Sequence, residues 1–288
     1  MEMTVDGRTF ATPRGWEDLS TILQVYDKLG KEMDREVIVQ YIQHERIAKD
    51  FANYLELYRK YQMDYQLDAV LEGRIDDILI KKASHASFDE KLSVVSLLLS
   101  RCRKRFADLM QREHMLELVF ENLKVLKEGL LDVHSSQPII YFQEILNAFT
   151  KETEQKKQAE LLTRSEEYDC RKATELLEKY LMNLQKQDVC DGETAFDQIK
   201  DWFDEEQDAY DAELDASGQM LENAFEFIEE AFGTGQEMVI FITELNTDFY
   251  SVKFLQQYEC ERYYRYNKNL LFEEGSKSIE ARLKALGK

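Results

Sequence analysis

Four carboxylates come closest to an ion-binding spacing. Asp211, Glu213, Asp215 and Glu222 fall at positions 1, 3, 5 and 12 of a calcium loop pattern. That loop needs glycine at position 6 for its sharp turn, and this chain has Ala216 there, with Gly218 where an apolar residue belongs. An acidic helix surface is the better reading of the spacing. Glu166, Glu167 and Asp169 offer a second carboxylate group. A di-iron bundle also requires Glu-x-x-His pairs, and none is present. The histidines His44, His85, His114 and His134 are scattered, as expected of surface or boundary residues rather than ligands. Cys102, Cys170, Cys190 and Cys260 form no Cys-x-x-Cys pair, so neither a zinc site nor a disulfide framework is expected. No phosphate-cradling Gly-x-x-x-x-Gly-Lys-Ser/Thr loop, Gly-x-Gly-x-x-Gly, His-Glu-x-x-His or Gly-x-Ser-x-Gly occurs. The chain alone is therefore expected to be inactive as an enzyme.

One segment has unusual electrostatics. In Phe10-Ala11-Thr12-Pro13-Arg14-Gly15-Trp16-Glu17-Asp18-Leu19-Ser20, Thr12 can cap a helix and Pro13 suits its first position. That puts Arg14 in the first turn, where the helix dipole prefers an anion. Either an external anion meets this guanidinium or it is a solvated surface arginine.

The elements that must position these residues are almost all helices. Only Pro13 and Pro138 interrupt 288 residues, and proline costs about 3 kcal/mol inside a helix. The exception is the start, where Met3-Thr4-Val5, Asp6-Gly7 and Arg8-Thr9-Phe10 read as a β-hairpin. Trp16, Leu19, Ile22, Leu23, Tyr26 and Leu29 then form a helical stripe ended by Gly30, and Asp34 caps the next helix. A third helix passes through Ile47, Phe51, Tyr54, Leu55 and Tyr58. Leu67 to Ile80 reads as helix, and Ser87-Phe88-Asp89-Glu90 as a capping box. After the break at Ser135 to Pro138, Ile139 to Gln187 reads as long charged helices in an antiparallel hairpin. Asp197 to Glu230 carries thirteen acidic residues against one basic and reads as two amphipathic helices. The expected architecture is all-α. A small helical domain with an N-terminal β-hairpin covers residues 1–73, and a larger helical bundle with long antiparallel helices covers 74–288.

Composition limits the partners. With 37 basic against 57 acidic residues the net charge is −20, a field that repels nucleic acid and anionic membranes and suits a basic partner. The acidic N-terminus shows no signal peptide, and no apolar run reaches the roughly 18 residues of a membrane span. A cytoplasmic location is expected.

At Thr12-Pro13-Arg14-Gly15-Trp16 the chain resembles the lid region of MoxR-type AAA+ ATPases. In that family an arginine called sensor 2 opens the lid helix and reaches the nucleotide phosphates. The resemblance implies that role for Arg14, with Thr12 and Pro13 starting the helix and Trp16 anchoring it. Ile47-Ala48-Lys49-Asp50-Phe51-Ala52 and the run from Gly235 to Leu245 resemble the helical C-terminal extension of bacterial members. The family's Walker motifs, sensor 1 and arginine finger precede the lid, and nothing comparable precedes it here. The resemblance thus implies a truncated, chaperone-like ATPase that senses nucleotide without hydrolysing it. It would need ATP and Mg²⁺ only when joined to an AAA+ core, from the same protein or a neighbouring subunit. Partners in such systems include von Willebrand factor A-domain proteins. The rival expectation is a standalone acidic helical adaptor that binds a basic protein through Asp197 to Glu230. A metal-binding helical bundle is a third.

Overall fold

The structure, a computed structural model, describes residues 2–4, 7–9, 11–131 and 137–268. Contacts divide the chain into two compact units. The first comprises Met1–Val70 with Ile75–Leu97, and the second Leu71–Arg74 with Leu98–Lys288. The first unit therefore takes in sequence beyond the boundary expected at residue 73.

The first unit is built on α1 (Pro13–Lys28), α2 (Arg35–Tyr41) and α3 (Glu45–Asp64), followed by α4 (Leu67–Leu71) and α5 (Asp77–Ser84). Each of the first three begins at a side-chain cap that satisfies an otherwise orphan backbone N–H. Thr12 accepts from the Gly15 amide at 3.0 Å, Asp34 from Val37 at 2.9 Å and His44 from Ile47 at 3.4 Å. Leu19, Met33, Ile38, Ile42 and Ala48 form the core between them, with Ile22, Leu23, Phe51 and Leu55 packed around it. Leu29 was expected to extend this stripe but is 63 % exposed, because α1 ends one residue earlier and the chain turns away. The expected helix from Leu67 to Ile80 is two short ones. Gly73, at φ +78°, takes a left-handed conformation between them.

The expectation of a β-hairpin as a part of this domain is corrected. The architecture is all-α, and among the described residues every core side chain of the unit comes from helices and their connections. Among the described residues, extended pairing is confined to β1 (Glu2–Thr4) and β2 (Gly7–Thr9), antiparallel with Met3 opposite Arg8. Two strands of three residues, joined by no third, have no sheet face with which to build a core. The expected turn and strand residues Val5, Asp6 and Phe10 lie outside the described residues.

In the second unit the helices are longer than the sequence pattern suggested. α6 (Phe88–Leu130) starts in the first unit and runs 43 residues without a break. α7 (Pro138–Gln158) and α8 (Arg164–Lys186) form an antiparallel hairpin, with Lys157 paired to Glu167 at 2.8 Å beside its turn. α9 (Gly192–Phe232) is one 41-residue helix where two were expected. No proline or left-handed residue interrupts it, and its one internal non-terminal glycine, Gly218, lies under the Tyr258 ring. α10 (Gln236–Thr247), α11 (Phe249–Gln257) and a helical stretch at 261–268 complete the described chain. The bundle core repeats the same step on two helices: Val119, Leu123, Leu126 and Leu130 on α6, and Ala173, Leu177, Tyr180 and Leu184 on α8. Phe142 and Leu146 of α7, with Ala195 and Ile199 of α9, close it. Further along, Phe106 stacks on Phe254 at 4.0 Å, and Phe225 meets Phe241 edge-on at 5.0 Å. Among the described residues no helix is long and apolar enough to cross a membrane.

Candidate functional site

Arg14 lies in the first turn of α1, as its sequence position requires. Its side chain is 91 % exposed, and the guanidinium sits 3.9 Å from Asp18, one turn along. Trp16 packs edge-on against Phe51 at 5.1 Å, which ties α1 to α3 while leaving the indole partly in solvent. Thr12 caps and Pro13 occupies the first turn. Gly15 has its own structural reason. A Cβ there would lie 2.5 Å from the Tyr41 carbonyl oxygen, so glycine lets the end of α2 touch the start of α1.

The carboxylates considered for metals are separated or otherwise engaged. Asp211, Glu213, Asp215 and Glu222 lie along the continuous helix α9, which offers no loop to wrap an ion. Glu166 belongs to a capping box: it accepts from the Thr163 amide at 2.7 Å, while its own amide donates to Thr163 Oγ1 at 3.3 Å. The box expected at Ser87 is half formed. The Glu90 amide reaches Ser87 Oγ at 3.4 Å, but the Glu90 carboxylate accepts from the Tyr65 hydroxyl at 2.7 Å instead of turning back. Among the described residues no group of three or more His, Cys, Asp or Glu is placed to hold a metal ion.

A pairing invisible in the sequence joins α6 to α8. His114 Nδ1 lies 2.8 Å from Asp169 Oδ2, and Asp169 is 3 % exposed. The partners are 55 residues apart, so no local spacing could have signalled it. Beside it, Arg112 bridges Glu206 at 3.4 Å and Glu213 at 2.5 Å, and Lys179 also reaches Glu206 at 3.4 Å. These cations are already neutralised by carboxylates. These contacts form an ion-pair network tying α6, α8 and α9 together.

Charge left unpaired is concentrated elsewhere, on the outer face of α9. Glu193, Asp197, Asp201, Asp204, Asp208, Asp211 and Asp215 recur at steps of three and four, and all seven are exposed. They form one stripe about 33 Å long. Among the described residues no salt bridge reaches any of the seven. Several other acids of the helix are less exposed and are compensated: Glu222 meets Arg262 at 2.9 Å, and Glu229 meets Arg262 at 3.4 Å and Arg265 at 3.1 Å. The stripe of exposed acids covers 193–215, so it begins before the expected Asp197.

This stripe borders an open apolar groove between α6 and α9. At one end a trough of about 600 Å³ is lined by Phe120, Leu123, Leu131, Phe196 and Phe203, with Lys124, Lys127 and Lys200 among its polar residues. Phe120 and Leu131 are 52 % and 51 % exposed. The groove continues past the Phe120–Phe203 ring pair, 6.0 Å apart, into about 290 Å³ lined by Leu116, Tyr210, Glu113 and Glu117. Burial, and then the nearby Glu113, Asp211 and Glu117 carboxylates, push the Tyr210 hydroxyl up to about 12. With Glu113 and Glu117 in its lining and no lysine or arginine, this end carries negative charge. The other end is balanced in charge, since Lys124, Lys127 and Lys200 line it together with Glu193, Asp197 and Asp204.

No protein-family model, curated protein or solved structure matches this chain. The readings of function therefore rest on the residues and their arrangement. The sequence signalled the acidic run on α9 but not the groove beside it, because apolar spacing along a helix does not show which apolar positions a neighbouring helix leaves uncovered.

Proposed function

We propose that this chain is a non-catalytic helical binding protein that docks a basic protein partner on the outer face of α9. The supporting observation is the row of seven exposed, unpaired carboxylates beside an open apolar groove. Less exposed acids of the same helix are bridged by arginines, whereas among the described residues the seven outer ones make no salt bridge. Seven like charges at helical spacing repel one another, and a cationic partner relieves that repulsion. The direct test is titration with a polylysine peptide, with polyglutamate as the control. Binding should weaken steeply with salt, and Asp201→Asn, Asp204→Asn and Asp208→Asn together should reduce it several-fold. Equal binding by that triple variant would reject the stripe as the docking face.

A second reading places the first unit as the lid of a MoxR-type ATPase. It is favoured by Arg14, held at a capped helix start with its side chain almost wholly exposed. In this reading Arg14 reads the nucleotide γ-phosphate, and ATP and Mg²⁺ are held by a separate P-loop core. Joining such a core upstream should then give an ATPase impaired by Arg14→Ala. Unchanged turnover in that variant removes the sensor role.

A further inference from the structure

We propose that the α6/α9 groove receives an amphipathic helix whose apolar stripe covers Phe120 and Phe203 and whose cationic part lies at the Tyr210 end. This deepens, and rests on, the reading of α9 as a docking face for a basic partner. The groove's dimensions and floor favour a helix. Its walls run antiparallel from Glu113 to Leu131 on α6 and from Glu193 to Tyr210 on α9, roughly 25 Å along each. That is the length of a partner helix of about 18 residues. A helix laid there presents apolar side chains every third or fourth residue to the exposed Phe120 and Leu131.

Charge sets the partner's polarity. Glu113, Glu117 and Asp211 surround Tyr210 with no lysine lining that end, while Lys124, Lys127 and Lys200 moderate the other. A cation is therefore favoured over Tyr210 and opposed nearer Phe196. The positive N-terminus of a helix belongs at the same acidic end. The occupant is thus a helix with lysines or arginines in its N-terminal half and an uncharged apolar C-terminal half.

The test uses the full chain and a fluorescent leucine–lysine helix of about 18 residues with its lysines confined to the N-terminal half. Phe120 is half-exposed and stands outside the bundle core, so Phe120→Ser should leave the fold intact, as circular dichroism would verify. It should weaken binding about tenfold at every salt concentration. Glu117→Gln with Asp211→Asn should weaken binding several-fold and flatten its salt dependence. Glu193→Gln with Asp197→Asn should change it less than about twofold, since lysines already moderate that end. Wild-type affinity in Phe120→Ser overturns the groove. If charge variants still weaken binding in that case, the acidic docking face survives without it; if they do not, both readings fall. Equal losses from the two charge pairs would overturn the assigned polarity.

Discussion

At Gly15 the first unit has no room for a side chain, because the Tyr41 carbonyl oxygen occupies the space a Cβ would take. The neighbour is backbone and cannot swing aside, so Gly15→Ala should lower stability by about 1–3 kcal/mol. Thr12→Ala, which removes the cap on the Gly15 amide, should cost about 1 kcal/mol. Urea denaturation followed by tryptophan fluorescence would measure both, since Trp16 stands in the same turn. Thr-Pro-Arg-Gly-Trp was legible as a helix start, and the cap was too. The purpose of the glycine was not, because Tyr41 lies on another helix. The thiols differ in the same way between sequence and structure. Cys102, Cys170 and Cys260 are buried and Cys190 is exposed. Burial pushes the Cys102 thiol up to about 12 and raises Cys170 and Cys260 as well. Alkylation of the native protein at neutral pH should add one label, at Cys190, by peptide mass spectrometry. Rapid labelling at Cys102 would show that the α6 interior opens readily.

At the scale of elements, α9 carries competing demands. Its inner face closes the bundle through Ala195 and Ile199, while its outer face sets carboxylates one turn apart. Like charges at this spacing destabilise a helix by about 0.2–0.5 kcal/mol per pair. Asp201→Asn with Asp208→Asn should therefore raise the melting temperature while weakening a basic partner, and calorimetry beside the binding titration would read the two opposed effects. The helix caps predict an acid response. Hydrogen bonds from the Thr194 amide and hydroxyl hold Asp191 below its ordinary value, and those from Thr163 do the same for Glu166. Groups depressed on folding stabilise above the unfolded carboxylate range and lose that contribution as pH falls through their folded values. Asp191→Asn keeps a capping side chain but removes its titration. The variant should lose stability less steeply than wild type below roughly pH 4 in acid-denaturation curves. The number of helices was harder to read than their presence. Acidic and apolar residues on α9 keep one period from end to end, and Gly218, under the Tyr258 ring, does not interrupt it.

For the whole molecule, net charge is the property with the widest consequence. A chain at −20 repels itself, so modest salt should raise its thermal stability. The same salt should lower affinity for a cationic partner, and finding both trends of one sign would count against an electrostatic docking face. The sequence by itself determined that the chain is helical and acidic, because proline scarcity, apolar periodicity and residue counts are local or additive properties. Tertiary structure decided which acids are free. Glu206, Glu213, Glu222 and Glu229 look no different in sequence from Asp201, Asp204 and Asp208, yet arginines from distant segments meet the first group and leave the second facing solvent. It also decided that Phe120 and Phe203 floor an open groove, since exposure of an apolar position depends on which helices pack against it and where that packing ends.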